Sequence, residues 1–230
     1  KNMVISGGTG TGKTSLLGAM TEAIPEVERI VVIEDTSELK LRQPHSVFLE
    51  VQKPDEYGQG SVTIRELFVA SLRMRPDRII VGEVRGGEAL DMIQSMLSGH
   101  SGSLTTVHAN TPRDAMIRLE TLSLMSDVQI PVYVARTQVA SAIEIVVQLT
   151  RFTADGARKI TRITEVEPID EKNEYRFRDL FVYRRPGGRP DAAPQLEWTG
   201  ERPSFAGDLY EHGFADRVDK TSAIWGKPGD

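Results

Sequence analysis

The most constraining feature of this chain is the octapeptide Gly7-Gly8-Thr9-Gly10-Thr11-Gly12-Lys13-Thr14. It fits the pattern G-x-x-x-x-G-K-S/T, a phosphate loop that needs a strand before it and a helix after it. Both flanks qualify. Asn2-Met3-Val4-Ile5-Ser6 is a short, mostly apolar run suited to a buried strand, and Ser15-Leu16-Leu17-Gly18-Ala19-Met20 suits the opening turns of a helix. The glycines let the backbone turn tightly enough for its N–H groups to converge on phosphate oxygens, and the helix N-terminus adds partial positive charge at the same point. The candidate nucleotide-binding residues are therefore Gly8, Thr9, Gly10, Thr11, Gly12, Lys13, Thr14 and Ser15. Lys13 is expected to reach the β- and γ-phosphates, and the Thr14 hydroxyl to ligate Mg²⁺. The bland alternative is a glycine-rich turn that binds nothing. The Lys-Thr pair and its flanks argue against it.

Composition narrows the rest. In 230 residues, a hydrophobic share of 39% and a charged share of 27% describe an ordinary globular chain with enough material for a sizeable core. A formal charge of −5 gives no general attraction to nucleic acid or anionic lipid. The absence of cysteine excludes disulfides and Cys-ligated metals. There is neither a transmembrane run nor a signal-peptide pattern. Lys1 stands immediately before the first strand, so the chain reads as a piece of a longer protein.

Downstream, Arg29 to Ile33 reads as a buried parallel strand ending in Glu34-Asp35, with Glu38 close behind. Carboxylates at such a strand tip lie where open α/β sheets bind ligands, which makes Glu34 a candidate for orienting water or a hydrated Mg²⁺; a solvated strand end is the alternative. Ser46 to Gln52 can form another strand. Thr63 to Met74 has helical spacing, with Arg73 and Arg75 at its end. These arginines can either complement the helix dipole or supply charge to a γ-phosphate, including one across a subunit boundary. Arg78 to Glu83 is a strand in which Gly82 stands where a Walker B segment carries Asp, leaving Glu83 as the carboxylate to orient or deprotonate the attacking water, or else to cap the next helix. Glu88 to Leu97 is a helix. Ser103 to Val107 is a strand presenting His108, which is either structural or in contact with the γ-phosphate. Thr111-Pro112 opens a helix, Pro131 to Ala142 forms another, and Ile143 to Leu149 is a strand. Beyond Arg151 the pattern changes: Arg158 to Val166 and Tyr175 to Tyr183 alternate as antiparallel strands do. Arg184 to Pro194 reads as an irregular connection, and the remainder as a helical or looped tail whose last residues are expected to be disordered.

Four stretches carry a resemblance: GGTGTGKTSLL, VVIEDTSELKLRQPHSVFLE, SVTIRELFVASLRMRPDRIIVGEVRGGEALDMIQ and GSLTTVHANTPRDAMIRLETL. Together they resemble the Walker A, Asp box, atypical Walker B and His box of the type II/IV secretion ATPase superfamily, and within it the CpaF-like ATPases of tight-adherence pili. The resemblance runs from Lys1 to about Glu167, with a weaker echo in RDLFVY and GERPSFAGDLYEHG. It implies an α/β fold, a RecA-like P-loop NTPase domain with a mostly parallel sheet over residues 1–150, followed by a small antiparallel β appendage and tail over 151–230. It implies ATP and Mg²⁺ as ligands, and raises Glu34, Glu83, His108, Arg73 and Arg85 to expected active-site residues. It implies a homo-oligomeric ring, a hexamer, that is cytoplasmic and peripheral at the inner membrane. There the ring would grip platform proteins of a pilus or secretion machine, with an upstream N-terminal domain closing over the nucleotide. Ser101 and Gln59 depart from the acidic and basic residues the family often has at those places. The rivals are an ATPase of a conjugative or type IV secretion system, a nucleic-acid motor, which the acidic balance disfavours, and a slow regulatory module.

Overall fold

Strand β2 (Ile30–Glu34) is buried at every position, as a parallel strand covered on both faces must be. In the computed structural model, which describes residues 1–185 and 193–211, β2 lies between β3 (Ser46–Glu50) and β4 (Arg78–Val81). The sheet continues through β5 (Leu104–Val107), β1 (Met3–Gly7) and β6 (Ile145–Arg151), all parallel. Its other end is completed antiparallel by β7 (Arg158–Glu167), β8 (Arg176–Arg184) and β9 (Gln195–Trp198). The α/β architecture read from the sequence is thus the observed one.

Alternation within the apolar runs sorts their side chains into two cores. Val31, Ile33, Ile79 and Val81 pack in one cluster with Phe68, Met92, Ile93 and Leu119. These last belong to α2 (Ile64–Ser71), α3 (Glu88–Leu97) and α4 (Pro112–Leu124); α5 (Val132–Ala142) adds Val139 and Ala140. Ile30, Val32 and Ile80 pack in the other cluster with Leu17 of α1 (Lys13–Thr21) and with Leu39. Each fully buried aliphatic or aromatic side chain contributes about 1.5–3 kcal/mol relative to exposure.

Helix limits follow from caps. The Thr63 hydroxyl accepts from the Glu66 N–H at 3.2 Å while the Glu66 carboxylate accepts from the Thr63 N–H at 2.7 Å, a reciprocal cap that fixes the start of α2. A 3-10 turn, Leu72–Met74, extends α2 to Arg75, whose φ of 51° turns the chain towards β4. Thr111 caps α4 through the Asp114 N–H, with Pro112 in the first helical place. Helix α1 ends at Thr21, shortly before Pro25, which disfavours helix in the residue ahead of it.

The expected strands beyond Arg151 are present as β7 and β8. Strand β9 is an addition: the sequence reads there as a helical or looped tail, and the run is only four residues long. It pairs with β8 from Phe181 opposite Trp198 to Arg184 opposite Gln195, so the sheet runs on unbroken past residue 150. A short helix, α6 (Ala206–Glu211), follows. Most of the expected irregular connection (186–192) and the expected disordered end (212–230) lie outside the described residues. Among the described residues, no helix is long and apolar enough to cross a membrane.

At the end of the sheet where β1 begins, one side chain ties three strands. The Asn2 carbonyl oxygen accepts the N–H groups of Gly102 and Ser103 at 2.8 and 3.1 Å, and its amide donates to the Ala142 carbonyl at 2.8 Å. At the other end, the loops leaving β1, β2, β4 and β5 lie side by side, which is where an open parallel sheet receives ligands.

Candidate functional site

The loop after β1 is shaped by its glycines. A Cβ added to Gly7 would stand 2.5 Å from Thr11 Oγ1 and 2.9 Å from the Leu149 carbonyl oxygen, so no other residue fits. Gly12 has φ of 92° and supplies no side chain to cap α1, and the first turn of α1 carries no acidic residue. Its leading N–H groups are therefore available to an anion. The Thr11 hydroxyl donates to the Gly8 carbonyl at 2.9 Å, bracing the loop from inside. Lys13 is buried, and its Nζ donates to the carbonyls of Gly7 and Gly8 at 3.1 and 3.2 Å. Burial pulls its pKa below the ordinary lysine value, partly opposed by the negative charge of Glu83. Thr9, Gly10 and Ser15 are exposed, and Thr14 lines a cleft together with Glu34, Asp35, Glu38, Glu83 and Arg85.

Glu83 stands two residues past β4, facing that cleft. Its Oε2 accepts from Arg85 Nε at 2.9 Å, and its Oε1 lies 3.0 Å from His108 Nε2. Arg85 is also 3.7 Å from the Asp35 carboxylate. The bond to Glu83 holds the Arg85 guanidinium above its ordinary pKa. Glu83 does not cap α3. That loop is held instead by Glu88, whose Oε1 accepts the N–H groups of Arg85 and Gly86 at 2.8 and 2.9 Å.

Glu34 is 5% exposed. Its Oε1 accepts the N–H groups of Glu38 and Leu39 at 3.2 and 3.1 Å, so the carboxylate holds the turn that leaves β2. Burial raises its pKa, and those two backbone bonds oppose the rise. A Cβ on Gly82 would lie 3.0 Å from Glu34 Cγ and 3.4 Å from its Oε1. The glycine in the Asp place of the Walker B strand therefore makes room for the Glu34 side chain arriving from the neighbouring strand.

Four expected residues thus converge: Glu34 from the last place of β2, Glu83 and Arg85 from the loop between β4 and α3, and His108 from just past β5. Arg73 does not join them. It sits exposed in the 3-10 turn that precedes β4, at the opposite end of that strand from Glu83, where it complements the end of the α2 helical segment. Three arginines escaped the sequence reading. Arg118 lines a second hollow with His108, Glu83 and Arg85. Arg151 and Arg158 flank the β6–β7 turn and lie against the phosphate loop, Arg158 Nε donating to the Gly10 carbonyl at 2.8 Å. The Asp155-Gly156 turn between them was the available signal, because a hairpin brings its flanking residues face to face.

Among the described residues, no group of three or more His, Asp and Glu side chains forms a cage for a metal. What the cleft offers is one hydroxyl, Thr14, with carboxylates nearby. That donor set suits Mg²⁺, which takes few direct protein ligands, keeps its waters and leans on phosphate oxygens.

Residues 1–188 match the family described as type II/IV secretion system protein. The chain is 38% identical over 193 residues to a putative conjugal transfer protein of Mycobacterium tuberculosis, covering 84% of this chain and 53% of that relative. It is 41% identical over 175 residues to the type IV secretion system protein VirB11 of Bartonella quintana, covering 75% and 48%. Among solved structures, the VirB11 ATPase from the Brucella suis type IV secretion system, in complex with sulphate, superposes with a TM-score of 0.64 at 35% identity, over 71% of this chain and 47% of that one. The chain spans about half the length of the curated relatives it matches. With its phosphate loop, its glycine-for-aspartate Walker B strand and a family match over most of its length, this chain belongs to the type II/IV secretion system protein family.

Proposed function

We propose that this chain is the nucleotide-hydrolysing part of an ATPase of the conjugation and type IV secretion kind. The observation that carries the reading is Glu83, which faces the phosphate loop across one cleft with both carboxylate oxygens already held, by Arg85 and by His108. The loop N–H groups and Lys13 hold the phosphates. Thr14 would hold Mg²⁺ beside them, and the ion would supply positive charge to offset that of the phosphates. Glu83 orients a water for in-line attack on the γ-phosphorus and accepts its proton, as the bond to the β-phosphate oxygen breaks and ADP departs. Arg85 and His108 turn from Glu83 towards the charge that develops on the γ-phosphoryl group. Glu34 keeps the β2 turn in place at the wall of the cleft, where it would also face the waters of a bound Mg²⁺. Arg73, remote from its own cleft, acts only on a neighbour's nucleotide within a ring of six. The ring works at the cytoplasmic face of the inner membrane on the membrane proteins of its machine, with no nucleic acid as substrate.

The pilus reading, in which the same ring builds or withdraws a tight-adherence fibre, rests on the four motif stretches. The names of the relatives favour conjugation and type IV secretion over it. Loss of conjugal or protein export on deletion, with surface fibres intact, separates the two. The hydrolysis itself is tested with E83Q in the full-length protein: Mg²⁺-ATP still binds, and kcat falls about 10²–10⁴-fold. Wild-type turnover in E83Q would remove Glu83 from the mechanism.

A further inference from the structure

The β6–β7 hairpin carries a charge arrangement that the fold alone does not call for. Arg151 and Arg158 are directly opposite each other across the antiparallel pair, and like charges in that relation destabilise a sheet. Both are exposed, and neither has a carboxylate partner among the described residues. The one acidic residue of the turn, Asp155, is spent on the Ala157 N–H at 2.9 Å. Both side chains reach the phosphate loop. Arg158 Nε bonds the Gly10 carbonyl at 2.8 Å, leaving its two terminal nitrogens without a protein acceptor among the described residues. A Cβ on Gly10 would lie 3.6 Å from Arg151 Nη1, and one on Gly12 would lie 3.7 Å from Arg158 Cδ. In the sheet, β1 separates this hairpin from β4 and β5, so the arginines flank the loop on the side away from Glu83.

We propose that Arg151 and Arg158 form a second cationic grip on the phosphate chain of the bound nucleotide, supplied by the same subunit from the β6–β7 hairpin. The proposal rests on the reading of this loop as a nucleotide site. Two forked guanidiniums with free donors beside a loop that cradles phosphate are suited to the non-bridging oxygens near the ribose end, while Glu83, Arg85 and His108 attend to the γ-phosphate. The anion would relieve the repulsion between them. It would also join the antiparallel strands β7–β9 to the nucleotide, since Arg158 is the first residue of β7.

The test is equilibrium binding of ADP with Mg²⁺ to the full-length protein and its R151Q, R158Q and R158K variants, with thermal unfolding recorded without nucleotide. Each Gln variant should weaken ADP binding about tenfold, and R158K should lose most of that affinity despite keeping the charge. The unfolding temperature without ADP should stay level or rise. Wild-type ADP affinity in both Gln variants would overturn the grip, as would a loss in R158Q alone that is matched by a lower unfolding temperature, the mark of a loop brace. If the native protein binds neither ADP nor ATP, the nucleotide reading fails and the grip fails with it.

Discussion

Gly82 is the place to test how the site is built. An added methyl would stand 3.0 Å from Glu34 Cγ, where an unstrained carbon contact needs about 3.5–4.0 Å. Glu34 cannot simply swing aside, because it is 5% exposed and its carboxylate holds the Glu38 and Leu39 N–H groups. Forcing a methyl into a packed site costs about 1–3 kcal/mol. Replacing glycine by alanine in compatible backbone returns about 0.4–1 kcal/mol through the unfolded chain, and Gly82 has no left-handed φ to forbid it. The net for G82A is a loss of about 1 kcal/mol, or roughly 2–4 °C in a domain of this size. In an E34A background the clash disappears, and the same substitution should be neutral or stabilising by about 0.4–1 kcal/mol. A double-mutant cycle read by urea unfolding gives the coupling directly. An equal cost for G82A in both backgrounds would refute the account of this glycine as space for Glu34.

Burial raises the Glu34 pKa, so in the window between the ordinary carboxylate value and that raised value the folded chain keeps a proton the unfolded chain has lost. The stability of the native protein relative to E34Q should therefore be greatest below that window and fall as pH rises through it, measured by urea unfolding of both proteins from about pH 4 to 7. A difference that does not vary with pH would show that the two backbone N–H groups fully offset burial. At the start of α2, T63A removes a reciprocal cap and should cost about 1 kcal/mol without changing nucleotide affinity, read by thermal unfolding and ADP titration.

The centre of the parallel sheet is legible because β1, β2 and β4 are largely apolar runs, almost wholly buried and separated by cap and breaker residues. The loop at Gly7–Thr14 is legible because its backbone geometry demands particular residue types. Pairings between strands are not. Glu34 and Gly82 meet only because β2 and β4 are neighbours in the sheet, while β3 and α2 intervene in the chain. The same limit hides Arg158, whose contact with Gly10 depends on where the hairpin closes, and β9, which is too short to show a period. Arg73 marks a different limit: residue type and helical position suggest a phosphate contact, and only the course of β4 shows that the nucleotide concerned is not the one in its own cleft.

The Asn2 amide gives the molecule a hinge pin. Its bonds to Gly102, Ser103 and Ala142 hold β1 to the chain entering β5 and the chain entering β6 at the end of the sheet remote from the phosphate loop. Strands fastened at one end cannot slip past one another when the other end is pushed. A displacement at the phosphate loop would therefore bend loops or turn the plate as one piece rather than shear its strands.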